Sequence, residues 1–467
     1  MTLEISITAS HDGGNIEVLS QSTLVPSPST NAPRTAECTV SLQVRPDVYT
    51  ELEKVSHMQY FSFRSFVSGL QSNKGDAFES ITVRYEIVNA HAVSFPYAWP
   101  GTTICYTTGS LEPTDDDVWK RNPTTGYADG KLTWTHTHTS NGSTFFSYYP
   151  PYTYNRHLKL ISDCSSRMTL GDSPLTEYNP SVESLGKTVE GREMECISIG
   201  SGSLVAWMIH RQHPGETMAE FFAEGLLHRL CGFNGPEGAN ALDDVTRSIL
   251  TQYRLYIVPC MCPDGAVRGH IRTNAVGANL NREWATVYDD YEAPTVARSP
   301  EVYSVLRKMD VTGCDFFLDV HGDESIPYVF FAGPVKTPKW GERMMNLHGY
   351  FVSCYQRANS DVQKEFGYPP PESEEKTVKL MNKATNQVSN RFDCLGLTLE
   401  MPYKDCATNP DPDCGFSPQR AKKLGRDLVD ALSGVSTFLR AEGEFWSEFS
   451  SEDSFVSPRE PALQDGV

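Results

Sequence analysis

Two hydrophobic rhythms divide the chain. From Cys38 to about Asp163, apolar and polar residues alternate in short runs: TVSLQVRP, QYFSFRSF, SITVRYEIV, TICYTT and KLTWTHTHT. Gly, Asn and Pro turns separate them, as in SNGS at 140–143. A period of two sends successive side chains to opposite faces, so each run predicts a half-buried strand. Together they predict an all-β antiparallel sandwich. After about Pro174 the rhythm changes. SLVAWMI (203–209), RLYIVP (254–259), CDFFLDV (314–320), YVFFAG (328–333) and LGLTLE (395–400) are apolar runs long enough for buried strands. Between the first two, Met218, Phe221, Phe222, Leu226 and Leu230 fall on one helical stripe, with Pro214 where a helix can begin. Residues 420–439 read as a closing helix. Strands alternating with helices predict an α/β domain with a mixed sheet flanked by helices.

The expected organisation is a sandwich over 1–165, an α/β domain over 166–440 and a tail over 441–467. Residues 19–37, rich in Ser, Thr and Pro, predict a flexible insertion. The tail is acidic and contains Ser and Pro, a composition that predicts disorder.

Charge narrows the function classes. With 40 basic and 59 acidic residues the formal net charge is −19. Binding to phosphate backbones rewards a basic excess, so nucleic acid is not an expected partner, and neither is an anionic membrane. No run of about 18 apolar residues predicts a membrane helix, and the first residues do not read as a secretory signal. The 12 cysteines follow no disulfide framework and read as reduced thiols. A cytoplasmic location is expected.

Four segments carry candidate chemistry, each at or just past a predicted strand. In HPGE, His213 and Glu216 stand three apart across a strand-to-helix turn and could share a metal; alone, such a pair is a spacing that chance supplies. In LDVHGD, His321 ends an apolar strand, and two His with one Glu make the ligand set of hydrolytic zinc sites with an open fourth position. His210, three residues before His213, could compete as a ligand, but strand geometry points it away. RTNAVGANLNREW offers Arg272 and the pair Asn281–Arg282 in a loop, and a guanidinium suits bidentate capture of a carboxylate. In LTLEMPYKD, Glu400 leaves an apolar strand and, if buried, must be paired, metal-linked or catalytic.

The order of these segments resembles the zinc metallocarboxypeptidase family of the carboxypeptidase A type. The wording of PDG (263–265), HIRTN, GANLNREW, DVHGD and TLEMPYKD is closer to its cytosolic carboxypeptidase branch, as are QYFSFR and PPYTYNRH in the β region. The resemblance spans roughly residues 40–440. It implies that His213, Glu216 and His321 bind one zinc ion per chain and that Glu400 is the general base. It further implies that Arg272 stabilises the oxyanion, and that Asn281 and Arg282 grip the free carboxylate of a peptide or protein C-terminal tail, tubulin-like tails included. Three departures stand out. Asn279 occupies a position where many relatives have Asp. The mobile tyrosine of pancreatic relatives is missing from KTVKLMNKAT, with Tyr368 as a candidate substitute. NKATNQVSNR lacks the Gly-Thr-Gly-Arg of deglutamylases, which leaves Thr385, Asn386 and Arg391 as the candidate specificity pocket. Alternatives within reach of the same residues are an amidase or deacylase, or a non-catalytic binder of acidic tails.

Overall fold

The computed structural model describes residues 2–26, 34–52, 54–71, 78–113, 118–169, 173–233, 241–285 and 292–462. The alternating runs of the first third become strands β1 (Glu4–Thr8), β2 (Glu17–Gln21), β3 (Val25–Pro26), β4 (Thr35–Gln43), β5 (Ser62–Ser68), β6 (Ser80–Ile87), β7 (Cys105–Thr108), β8 (Lys120–Arg121), β9 (Gly126–Ala128), β10 (Lys131–His138) and β11 (Gly142–Ser147). They form two sheets, ordered β1-β5-β11-β7-β8 and β2-β4-β6-β10-β9, with β3 beside β4. Alternation does the folding. Ala36, Cys38, Val40 and Leu42 of β4 and Ile81, Val83, Tyr85 and Ile87 of β6 all turn inward and are buried. The expected sandwich is present, with one departure from antiparallel pairing: β4 and β6 run parallel.

Helix α1 (Tyr154–Thr169) follows and runs across the boundary expected at 165. The α/β sheet comprises β12 (Ser181–Lys187), β13 (Glu193–Ile199), β14 (Leu204–His210), β15 (Tyr253–Val258), β16 (Phe316–Asp323), β17 (Phe330–Ala332) and β18 (Leu395–Pro402). Its order is β12-β13-β15-β14-β16-β18-β17. The central four, β15, β14, β16 and β18, are parallel, and the edges are antiparallel. Among the described residues eight more helices accompany it: α2 (Met218–Leu230), α3 (Asp244–Gln252), α4 (Pro263–Arg268), α5 (Pro300–Thr312), α6 (Glu342–Ala358), α7 (Glu374–Val378), α8 (Ala384–Phe392) and α9 (Pro418–Val435). The predicted closing helix is α9. Parallel central strands place all their carboxyl ends on one edge, where ligands bind in open α/β sheets.

The two parts share one continuous apolar core. At the junction Tyr148, just past β11, stacks on Tyr403, just past β18, with ring centroids 4.5 Å apart.

Two compositional expectations are corrected. Within 19–37, the described residues belong largely to β2, β3 and the start of β4, because Ser and Thr are compatible with a solvent-facing strand; residues 27–33 lie outside the described residues. The tail is not disordered over 441–462. Phe449 stacks on Tyr350 of α6 at 4.1 Å, Phe455 packs edge-on against His348 at 5.0 Å, and Arg357 pairs with Asp453 at 2.7 Å. Aromatic residues spaced through an acidic frame gave the segment an apolar face that its average composition concealed. Residues 463–467 lie outside the described residues. Among the described residues no helix is long and apolar enough to cross a membrane. All 12 cysteines are unpaired thiols.

Candidate active site

The ends of β14, β16 and β18 bring the distant segments together. Strand β14 ends at His210, and Arg211 then adopts a left-handed backbone (φ 55°), a costly conformation for a residue with a side chain. Its guanidinium holds the turn it starts. Nε donates to Pro214 O at 2.7 Å, Nη1 donates to Tyr152 O at 2.9 Å, and Nη1 also pairs with Glu220 of α2. The turn carries His213 and Glu216, and α2 begins only at Met218, later than Pro214 suggested. Gly215 is needed there: a Cβ would lie 2.6 Å from Ile271 Cδ1. His210 is not part of the cluster. It is buried with Nδ1 2.9 Å from Val258 O, and burial lowers its pKa to about 4.

On β16 and β18, His321 and Glu400 are direct partners in the parallel ladder. Glu216 lies between the two imidazoles, with Oε1 2.6 Å from His213 Nδ1 and Oε2 2.8 Å from His321 Nδ1. Among the described residues these three form the one group whose ligand atoms suit a metal, all within 4.8 Å of one another. The far side of each ring is held elsewhere. His213 Nε2 lies 3.2 Å from Asn279 Oδ1, and His321 Nε2 lies 2.8 Å from Asp319 Oδ2. Gln212 Nε2 steadies that carboxylate by donating to the same oxygen at 2.7 Å. Asn281 Nδ2 also approaches His321 Nε2, at 3.3 Å, but the shorter contact to a carboxylate assigns the proton to Nε2. Both Nδ1 atoms therefore converge on Glu216, and two imidazole nitrogens with one carboxylate fit zinc with a coordination position to spare. Burial, then nearby Arg272 and His321, outweigh Glu216 and lower the His213 pKa to about 3, whereas for His321 burial is outweighed by Asp319 and Glu216, which raise its pKa well above the ordinary value. Burial opposes ionisation of Glu216, but His213 and His321 outweigh it and lower its pKa to about 2.

Beside the cluster opens a cleft of about 520 Å³ lined by Arg272, Asn281, Arg282, Tyr368, Lys383 and Glu400. Glu400 is buried, and its Oε2 has no protein partner. Burial foremost, then the charges of Glu216, Asp323 and Glu324, push its pKa well up against the pull of His321. A buried carboxylate facing a cleft with one oxygen unengaged is set up to accept and return a proton. Tyr368 reaches the site from outside the sheet: its hydroxyl donates to Asp323 Oδ2 at 2.5 Å and lies 3.4 Å from Glu400 Oε1.

Comparison with known proteins fits this geometry. Residues 176–420 match the family described as Zinc carboxypeptidase, and residues 7–149 match the Cytosolic carboxypeptidase N-terminal domain. The chain belongs to the zinc carboxypeptidase family. It is therefore a metallocarboxypeptidase and a hydrolase, built as a β-sandwich followed by a carboxypeptidase domain. A protein of Zymomonas mobilis described as uncharacterised is 36% identical, the match covering 95% of this chain and 99% of that one. The metallo-carboxypeptidase of Burkholderia cenocepacia is similar at 33% identity, with a TM-score of 0.75 over 93% of this chain and 99% of that one. The metallo-carboxypeptidase of Pseudomonas aeruginosa, solved in complex with (2-guanidinoethylmercapto)succinic acid, is 32% identical, with a TM-score of 0.73 over 93% and 100% of the two chains. Cytosolic carboxypeptidase 1 of Xenopus laevis is 24% identical over 310 residues; the match covers 62% of this chain and 22% of that relative.

Within this zinc carboxypeptidase, a second cavity of about 150 Å³ adjoins the cleft and shares Asn281, Tyr368, Lys383 and Glu400 with it. Thr385 and Asn386 line it, with Thr385 Oγ1 2.7 Å from Thr398 Oγ1 and Asn386 Nδ2 donating to Leu380 O at 3.1 Å. Arg391 is a correction. It lies more than a turn further along α8 on the outer face, where it pairs with Asp310 at 2.7 Å. The residue missed by sequence reasoning is Lys383, which precedes α8 and lines both cavities. Burial first, then Arg282 and Arg272, lower its pKa to about 8. The signal lay in NKAT: a cation two positions before Thr385 serves a pocket as well as one inside the helix.

Proposed function

We propose that the protein removes C-terminal residues from peptides or protein tails, using one zinc ion held by His213, Glu216 and His321. A zinc ion there supplies Lewis acidity, which polarises a carbonyl and lowers the pKa of water. Glu400 takes a proton from the attacking water and hands it to the leaving amine, a role that suits a carboxylate whose pKa burial has raised. Arg272 faces the oxygen on which charge develops. Arg282, with Asn281, grips the substrate's free carboxylate. Asn281 is itself fixed, its Oδ1 accepting from Ala384 N at 2.9 Å. Tyr368 closes over the reacting bond.

The observation that carries this reading is the sharing of one cleft by the three clustered ligands, Glu400 and two arginines. A metal triad and a base alone would serve any amide. A guanidinium beside them matches a charge found only at a chain end. That the Pseudomonas relative forms a complex with (2-guanidinoethylmercapto)succinic acid, a dicarboxylate, supports carboxylate recognition in this family.

Lys383, Thr385 and Asn386 supply polar groups to a specificity pocket otherwise lined largely by apolar side chains, and the ammonium favours an acidic terminal side chain. Glutamate-rich tails, tubulin-like ones included, are thus within the proposed substrate range. Unpaired thiols and similarity to cytosolic carboxypeptidases support action in the cytoplasm.

The test uses matched peptides ending in Glu, Lys, Phe or Ala, each with a free or an amidated C-terminus. Release of the terminal residue from the free peptides alone, fastest for Glu, is expected. Equal hydrolysis of the amidated partners would favour an amidase.

A further inference from the structure

The loop that carries Arg272 is fastened from outside its own domain. Asp47, on the segment leaving β4 of the sandwich, is buried, and its carboxylate receives three consecutive backbone N–H groups of the loop. Oδ1 accepts from Ile271 N at 2.8 Å, and Oδ2 accepts from Arg272 N at 2.8 Å and Thr273 N at 2.9 Å. The Thr273 hydroxyl adds a fourth bond to Oδ2 at 3.1 Å. Neighbouring sandwich residues hold the loop on either side: Asn15 Nδ2 donates to Gly269 O at 3.0 Å and Thr50 Oγ1 donates to Val276 O at 2.9 Å. Gly277 (φ 82°) lets the loop pass this close, since a Cβ there would lie 2.7 Å from Thr50 Oγ1. The Asp47 segment is itself fixed, its backbone N donating to His57 O at 2.8 Å. On the opposite side Gly215 N, in the turn between His213 and Glu216, donates to Ile271 O at 3.1 Å.

We propose that Asp47 is a positioning residue for Arg272, so that the sandwich domain completes the active site by fixing where the guanidinium stands relative to the scissile carbonyl. The inference rests on the reading of Arg272 as the group that stabilises the oxyanion. A displacement near 1 Å in such a group costs about 100-fold in rate, and four bonds to one buried carboxylate oppose that displacement. Arg282 and Asn281, which grip the terminal carboxylate, lie ten and nine residues further along, beyond the Asn274 turn, whose Oδ1 accepts from Val276 N and Ala278 N at 3.1 and 2.9 Å. Loss of Asp47 therefore acts on kcat more than on KM.

The test is a double-mutant cycle on the full-length zinc enzyme with Asp47→Asn and Arg272→Ala, read as kcat, KM, zinc content and melting temperature. Asn retains one acceptor oxygen but turns an NH2 group toward a backbone donor, so at least one N–H loses its partner. Asp47→Asn alone is expected to lower kcat about 10–100-fold with KM changed less than threefold and zinc retained. In the Arg272→Ala background it is expected to have no further effect on kcat. An equal fall in both backgrounds, or a kcat within twofold of the parent, overturns the proposal. If Arg272→Ala itself leaves kcat unchanged, the reading of Arg272 fails and this inference with it; a large Arg272 effect with an unchanged Asp47 factor removes the inference alone. Should Asp47→Asn not fold, Thr273→Val, which deletes only the hydroxyl bond, is expected to give a smaller kcat loss with the same dependence on Arg272, and its absence overturns the proposal equally.

Discussion

Asn279 Oδ1 lies 3.2 Å from His213 Nε2, whereas the equivalent nitrogen of His321 has the Asp319 carboxylate at 2.8 Å. The two imidazoles are thus backed unequally, one by a neutral acceptor and one by a charge. A carboxylate behind a ligating histidine fixes its tautomer and raises its basicity. Asn279→Asp is expected to tighten zinc binding in a chelator competition, and Asn279→Ala to weaken it about 10–100-fold. Unchanged affinity in both variants would exclude His213 Nε2 from any such support.

Glu400→Gln keeps the shape of the buried side chain and deletes its proton chemistry. Turnover is expected to fall about 10²–10⁴-fold, with zinc content and melting temperature near those of the parent. Steady-state rates and metal analysis on one preparation check both halves. A variant that turns over at the parental rate would remove Glu400 as the base.

Lys383 is expected to make substrate preference depend on pH. Its pKa, lowered to about 8, means the ammonium is charged below that pH and neutral above it. Preference for Glu-terminated over Ala-terminated peptides is expected to decline as pH rises through about 8. Hydrogen bonds to charged groups contribute about 1.5–3 kcal/mol, so Lys383→Met is expected to erase about 10–100-fold of selectivity at pH 7. Ratios of kcat/KM for the two peptides across pH 6–10, with limits set as roughly two units either side of that pKa, report this. A flat ratio would take Lys383 out of the pocket's chemistry.

His157 of α1 links stability to pH. Burial pulls its pKa down, but contacts to Glu195 at 3.2 Å and Glu220 at 2.9 Å outweigh that and raise it from 6.5 to about 9. A raised folded-state pKa stabilises the fold fully below the unfolded value of 6.5, and that contribution is lost as pH rises through about 9. The shift corresponds to roughly 3 kcal/mol. Urea midpoints are expected to fall between these limits, and the slope to become shallower in His157→Gln. A parental slope in that variant would place the linkage elsewhere.

How much of this was legible in the sequence follows from which interactions are local. HPGE, His321 and Glu400 could be read because each sits at the end of an apolar strand, and parallel strands align their ends. Arg391 misled because a short polar stretch does not reveal the phase of α8; only packing against β18 decides which residues turn inward. Asp319 lay in plain view in LDVHGD, but an alternating strand gives no sign that its carboxylate supports a histidine two residues on. Asp47 was invisible for a different reason: its partners are more than 220 residues away, in another domain, and are backbone groups without sequence identity. The tail was misjudged because composition averages over the aromatic residues that dock it on α6.

Zinc content is the most direct measure of the account. The purified protein is expected to hold one zinc ion per chain, and His321→Ala, checked for a retained fold by circular dichroism, to hold none. A folded His321→Ala protein with full zinc occupancy would contradict it.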